Sequence, residues 1–145
     1  MPKLFVAASS DWMAYVLDGG DSGRSRMPPS RSSMETEYIA VMYALNEYFL
    51  RWNKELDSRQ DDLDRETGEF YRVATPSQQT PRPRPQPVQV CTSSELIARQ
   101  LRRELNTGSA TLRKLAQQIL RMTENVAVEY TWVPRRQNPA SKLLP

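Results

Sequence analysis

Apolar residues along this chain fall into short runs near both ends and into one long helical stripe between them. Residues 3–7 (Lys-Leu-Phe-Val-Ala) and 12–17 (Trp-Met-Ala-Tyr-Val-Leu) are brief apolar runs, the second closed by the turn-forming string Asp18-Gly19-Gly20-Asp21-Ser22-Gly23. Two strands joined by a short connection are predicted. A third, ragged strand is expected within 24–31, confined to an edge or a bulge because Pro28 and Pro29 have no N–H to give to a ladder. A strong helix follows, with Ser32 or Ser33 as N-cap and Glu35 in its first turn. Tyr38, Met42, Leu45, Phe49, Trp52 and Leu56 step alternately by four and three, which holds them on one face for about five turns.

Beyond Leu56 the pattern breaks. The chain is densely charged through Glu69 and then proline-rich from 76 to 87, where Pro81-Arg82-Pro83-Arg84-Pro85 favours extended polyproline II and forbids a helix or a central strand. Residues 57–86 read as a charged, proline-rich insertion within a single domain spanning 1–145, since the part that follows is too small to bury a core of its own. A buried strand is predicted at 88–91. Ser93 or Ser94 then caps a helix with Leu96, Ile97, Leu101 and Leu105 inward, ended by Asn106-Thr107-Gly108. A third helix over 110–122 buries Leu112, Leu115, Ile119 and Met122, and Asn125 marks the turn after it. Val126, Val128, Tyr130 and Trp132 alternate along a final strand at 126–133, and the basic tail carries at most a first helical turn at 140–144. The order predicts an α/β fold: a mixed sheet whose first three strands are antiparallel and whose later ones are parallel, flanked by helices.

Composition narrows the chemistry. The 145 residues fit one domain, no apolar run approaches the roughly 20 residues needed to span a bilayer, and the N-terminus lacks a signal pattern, so a soluble intracellular protein without membrane association is expected. The chain has no histidine and one cysteine, Cys91, which excludes an internal disulfide, a histidine-based catalytic triad and an ordinary zinc site. Charge is uneven: 1–51 holds five basic and six acidic residues, 52–86 six and seven, and 87–145 nine and four, so the last part alone carries +5. A basic half of this kind suits a polyanion, although Arg99, Arg102, Arg103, Arg113, Lys114 and Arg121 are equally readable as solvated helix faces.

Three strings, in order, resemble the ribonuclease H family. Met34-Glu35-Thr36-Glu37-Tyr38-Ile39-Ala40-Val41-Met42-Tyr43-Ala44-Leu45 looks like its glutamate-bearing first helix, with Glu37 at the glutamate. Val88-Gln89-Val90-Cys91-Thr92-Ser93-Ser94-Glu95-Leu96-Ile97-Ala98-Arg99-Gln100-Leu101 is similar to the strand-to-helix turn that carries an aspartate-serine pair, and Val133-Pro134-Arg135-Arg136-Gln137-Asn138-Pro139-Ala140-Ser141-Lys142-Leu143 resembles the end of the family's sequence. With 4–7 and 14–17 resembling its first two strands, the likeness spans the chain apart from the insertion. The resemblance implies hydrolysis of the RNA strand of an RNA/DNA hybrid by two magnesium ions held by four acidic residues. Here Ala7, Ser93 and Ser141 stand where three aspartates are expected and only Glu37 is kept. One carboxylate leaves the charge of two hard cations largely uncompensated, so no metal, no cofactor and no catalysis are expected. The family's late histidine is missing, its glycine-rich loop is cut to residues 8–11, and its closing helix is expected to be truncated at Pro145. A second register would put Asp18-Gly19-Gly20 at the first carboxylate, but only eighteen residues then separate Asp18 from Glu37, too few for two strands and their turns.

The same residues also have plain structural readings. Glu37 is then a first-turn helix charge, Ser93 and Ser141 are helix caps, and Trp12 belongs to a core or interface rather than to a base stack. Three functions compete. The sequence ranks first a structural or adaptor subunit with a protein partner, contacted through Arg82, Arg84, Asp61 and Asp62, because the substrate loop is shortened along with the metal site. Next comes a catalytically dead binder of nucleic acid, hybrid or duplex, using Arg135, Arg136, Lys142, Arg102 and Arg103. A residual nuclease comes last.

Overall fold

The computed structural model describes residues 1–18, 20–29, 32–67, 85–104, 106 and 108–145, and of 55–67 the backbone only. Strands β1 (Lys3–Ala8), β2 (Trp12–Leu17), β3 (Ser22–Arg26), β4 (Val88–Thr92) and β5 (Val128–Trp132) form one sheet in the order β3-β2-β1-β4-β5. β1, β2 and β3 pair antiparallel, whereas β4 runs parallel to β1 and β5 parallel to β4. The β1–β2 connection closes on itself: Ser9 N donates to Trp12 O at 2.8 Å and Trp12 N to Ser9 Oγ at 3.1 Å. β3 begins two residues earlier than expected and stops before Pro28 and Pro29, at the sheet edge where their missing N–H groups cost no ladder bond. Gly23 sits opposite Tyr15, whose ring lies so close that a Cβ at Gly23 would come within 2.8 Å of it; the ring is thereby directed edge-on to Tyr43, centroids 5.6 Å apart.

Helix α1 (Ser33–Thr67) is longer than its apolar stripe predicts, running well into the segment expected as insertion. Ser32 Oγ accepts from Glu35 N at 3.2 Å and fixes its start. Tyr38, Val41, Ala44, Leu45 and Tyr48 are buried, while Met42 and Phe49 are only half-buried. The inward line is thus centred beside the expected one: Ala40 and Ala44 let the helix lie close to the sheet, and Tyr38, Val41, Leu45 and Tyr48 are buried beside them. The polyproline expectation at 81–85, like Arg82 and Arg84, falls on residues outside those described, apart from Pro85. Tyr48 Oη donates to Gln86 O at 2.7 Å, which ties the chain's return to α1 just before β4.

Helix α2 (Glu95–Leu101) starts after Ser94, whose Oγ accepts from Ile97 N at 3.4 Å, and α3 (Ala110–Met122) after Ser109, whose Oγ accepts from Leu112 N at 3.4 Å. α2 buries Ile97, Ala98 and Leu101, but Leu96 is 45% exposed and not inward as its position in the apolar run suggests. Ile97 and Leu101, four apart, define the inner line, and Leu96 sits about 100° from Ile97. Leu105 is outside the described residues. In α3 Ile119 is fully buried, with Leu112, Leu115 and Met122 packed partly against the core.

All three helices share a core with one sheet face, through Leu4, Val6, Met13, Tyr15, Val88, Val90 and Tyr130. Fully burying each large apolar side chain there contributes about 1.5–3 kcal/mol. The opposite face has a smaller cluster of Ala7, Ala14 and Ala140, with Phe5, Val16, Leu143 and Leu144 packed beside it. It is covered by a 3₁₀ helix, Pro139–Leu143, preceded by a 3₁₀ turn, Arg135–Gln137. Among the described residues no helix is long and apolar enough to cross a membrane.

Candidate functional site

The C-terminal ends of β1 and β4 meet the 3₁₀ segment at one residue, Asn138. Its side chain is fully buried. Nδ2 donates to Val6 O at 2.8 Å and to Ser93 Oγ at 2.9 Å, and Oδ1 accepts from Ala140 N at 3.0 Å. One amide thereby ties β1, the turn after β4 and the 3₁₀ helix Pro139–Leu143 together. Ser141 Oγ donates within that segment, to Asn138 O at 2.7 Å and Arg135 O at 3.0 Å. Ser93 is held further by Trp132, whose Nε1 donates to Ser93 O at 3.2 Å. Ala7 is buried against Ala140 and Ala14. Of the sequence-predicted positions, Ser93 and Ser141 are both bonded to Asn138, a residue quoted in the third string but given no role there, and Ala7 packs with Ala140. The role of Asn138 rests on contacts to residues 132 and 45 positions away, which no local pattern encodes.

Glu37, in the second turn of α1, lies within electrostatic reach of Arg135. Its Oε2 is buried without a hydrogen-bond partner. Burial pushes the carboxyl up from 4.5 to about 7, opposed by the positive charge of Arg135. The group that the resemblance makes a metal ligand thus sits partly protonated near neutral pH, with an arginine close enough to act on it.

A pair of divalent ions does not fit this donor set. Ala7 offers no oxygen on its side chain, Ser93 Oγ is occupied by the Asn138 amide, and Ser141 Oγ is turned to backbone carbonyls. Hard cations at this position need several anionic oxygens, and Glu37 supplies one carboxylate. Among the described residues no group of three or more histidine, cysteine, aspartate or glutamate side chains could hold a metal ion. Asp18 lies elsewhere: its Oδ2 accepts from Lys3 N at 2.9 Å, at the opposite end of β1 from Ala7, which removes the second register.

Arg135, Arg136 and Lys142 are exposed on the two 3₁₀ elements beside the cluster. Arg102 and Arg103 are not with them. They follow α2 and line a separate cavity of about 510 Å³ with Leu120, Thr123, Glu129 and Tyr130, and Arg102 is ion-paired to Glu104 at 3.2 Å. Asp61 and Asp62 lie on α1 where only the backbone is described. Trp12 is half-buried, with the guanidinium carbons of Arg24 and Arg26 5.3 and 5.4 Å from its ring centroid. Neither arginine was singled out from sequence; the signal available was their spacing of two on a strand.

No protein-family model matches the chain, and no curated protein matches it by sequence. Solved structures do match. A ribonuclease H1 crystallised with an RNA/DNA hybrid superposes with a TM-score of 0.60 at 18% identity, over 98% of this chain and 91% of that one. The ribonuclease H1 of the halophilic archaeon Halobacterium salinarum gives 0.60 at 18% identity, over 99% and 91%. The N-terminal ribonuclease H domain of a Mycobacterium tuberculosis protein gives 0.66 at 15% identity, over 98% and 88%. The strand order, the mixed pairing and these superpositions agree on one conclusion: the chain carries the ribonuclease H-like fold.

Proposed function

We propose that the chain is a non-catalytic ribonuclease H-like module that binds nucleic acid, an RNA/DNA hybrid or a duplex, without cleaving it. What carries the reading is the make-up of the site. One carboxylate lies near an arginine, and the neighbouring positions are closed by the Asn138 hydrogen bonds. Such a site compensates little of the charge of two divalent cations. Support for binding comes from Arg135, Arg136 and Lys142, which stand exposed around that end of the sheet, and from the structural neighbour solved with a hybrid on the same fold. The test is a titration of labelled RNA/DNA hybrid at graded salt. Binding should weaken steeply with salt and fall further in Arg135→Glu/Arg136→Glu, whereas no binding at low salt sinks the proposal.

A second reading, the adaptor subunit, is supported by α1. Its inward-facing side chains give way at Asn53 and Lys54, both exposed, yet the helix continues to Thr67. From Asn53 that is fifteen residues, about 22 Å of helix with a densely charged sequence. Deleting 57–86 should abolish a stoichiometric protein complex if this role holds, and leave hybrid affinity unchanged.

A further inference from the structure

The Trp12, Arg24 and Arg26 cluster lies outside the site described above and has a job that the site does not explain. β2 pairs Trp12 with Arg26 and Ala14 with Arg24, and the alternation of strands puts all four on the face away from the core residues Met13 and Tyr15. Two guanidiniums share one indole, their carbons 5.3 and 5.4 Å from its centroid. Among the described residues neither makes an ion pair, and Asp11, the exposed acid next to Trp12, pairs with neither. Two like charges held together with no counter-charge form a site for an anion.

The cluster is also continuous with the functional site. Arg24 Nη1 donates to Leu143 O at 3.4 Å, next to exposed Lys142, and Ser141 Oγ donates to Arg135 O at 3.0 Å. Arg26, Arg24, Lys142 and Arg135 thus form a band of positive charge carried by β3 and the 3₁₀ elements. We infer that this band is a second phosphodiester contact, over which a strand continues beyond Arg135 and Arg136 with successive phosphates on Arg24 and Arg26. It rests on the nucleic-acid reading above and adds a surface to it. Alternate residues of a strand lie about 7 Å apart, close to the separation of adjacent phosphates, and the guanidinium fork fits phosphate oxygens in pairs. Trp12 holds both guanidiniums in place by its ring face, so it positions them and does not stack on a base.

The test measures hybrid affinity by fluorescence anisotropy against salt for the intact chain, for Arg24→Gln/Arg26→Gln and for Arg135→Glu/Arg136→Glu. Arg24→Gln/Arg26→Gln should lose about tenfold or more in affinity at low salt, and its log K against log salt slope should be shallower by about 1.5–2, the loss of two phosphate contacts. An unchanged slope in that variant, while Arg135→Glu/Arg136→Glu weakens binding, overturns the second contact and leaves the functional reading standing. No binding by the intact chain overturns both. Competition by polyglutamate as effective as by polynucleotide of equal charge overturns the phosphodiester assignment in favour of an acidic peptide. Arginine-selective modification of the intact chain, with and without hybrid, covers the case in which the variant does not fold: protection of Arg24 and Arg26 supports the contact, and equal modification overturns it.

Discussion

A carboxylic acid without a hydrogen-bond partner at one oxygen is the residue on which the site turns. Glu37 has its pKa raised from 4.5 to about 7, so the folded protein holds this proton more tightly than the unfolded chain does. Its contribution is therefore fully present below about pH 4.5 and is lost as pH rises through about 7, at a cost approaching about 3 kcal/mol. Glu37→Gln should unfold at the same urea concentration as the intact chain near pH 4 and at a higher one at pH 8; parallel curves across that range would refute the assignment. Asn138 works in the other direction. Asn138→Ala strips Val6 O and Ser93 Oγ of their donor and Ala140 N of its acceptor, and should cost about 3 kcal/mol in urea unfolding. The family resemblance picks out Glu37, Ala7, Ser93 and Ser141 in the sequence by position alone. The importance of Asn138 was not legible there, since its partners come from three separate stretches of chain.

Elements were legible in kind and order, and less so at their ends and in their facing. A stripe of large apolar residues marks α1, but the helix–sheet contact is made through Val41, Ala44 and Tyr48 as well, and propensity for a helix does not stop where burial does. Leu45→Ala should cost about 2–5 kcal/mol and Leu50→Ala, at a position 48% exposed, less than about 0.5 kcal/mol, measured by thermal or chemical unfolding. On α2 the contrast is sharper: Leu96→Ala should be near neutral, whereas Ala98→Leu overpacks a fully buried position and should cost about 1–3 kcal/mol. Period alone cannot rank Leu96 against Ala98, because two adjacent apolar residues and a small one fit several helical faces in a seven-residue helix.

At the scale of the whole molecule the sheet is treated unequally on its two faces. Three helices cover one face, and a five-residue 3₁₀ helix stands on the other, where Ala7 and Ala14 leave room for Ala140 to approach. The mixed pairing follows from connection lengths: short links between β1, β2 and β3 permit antiparallel pairing, and helix-bearing links before β4 and β5 permit parallel pairing. The strand sequence therefore announced the fold, while the band of charge on β3 emerged only once Arg24 and Arg26 were seen against Trp12 and the 3₁₀ helix. The function we propose is that of a scaffold that holds nucleic acid without cutting it. It is tested most directly by incubating the intact chain with a labelled RNA/DNA hybrid and magnesium, and reading bound fraction and strand length from the same sample. A bound hybrid whose RNA stays full-length is the predicted result. Magnesium-dependent shortening of the RNA that disappears in Glu37→Gln would contradict it.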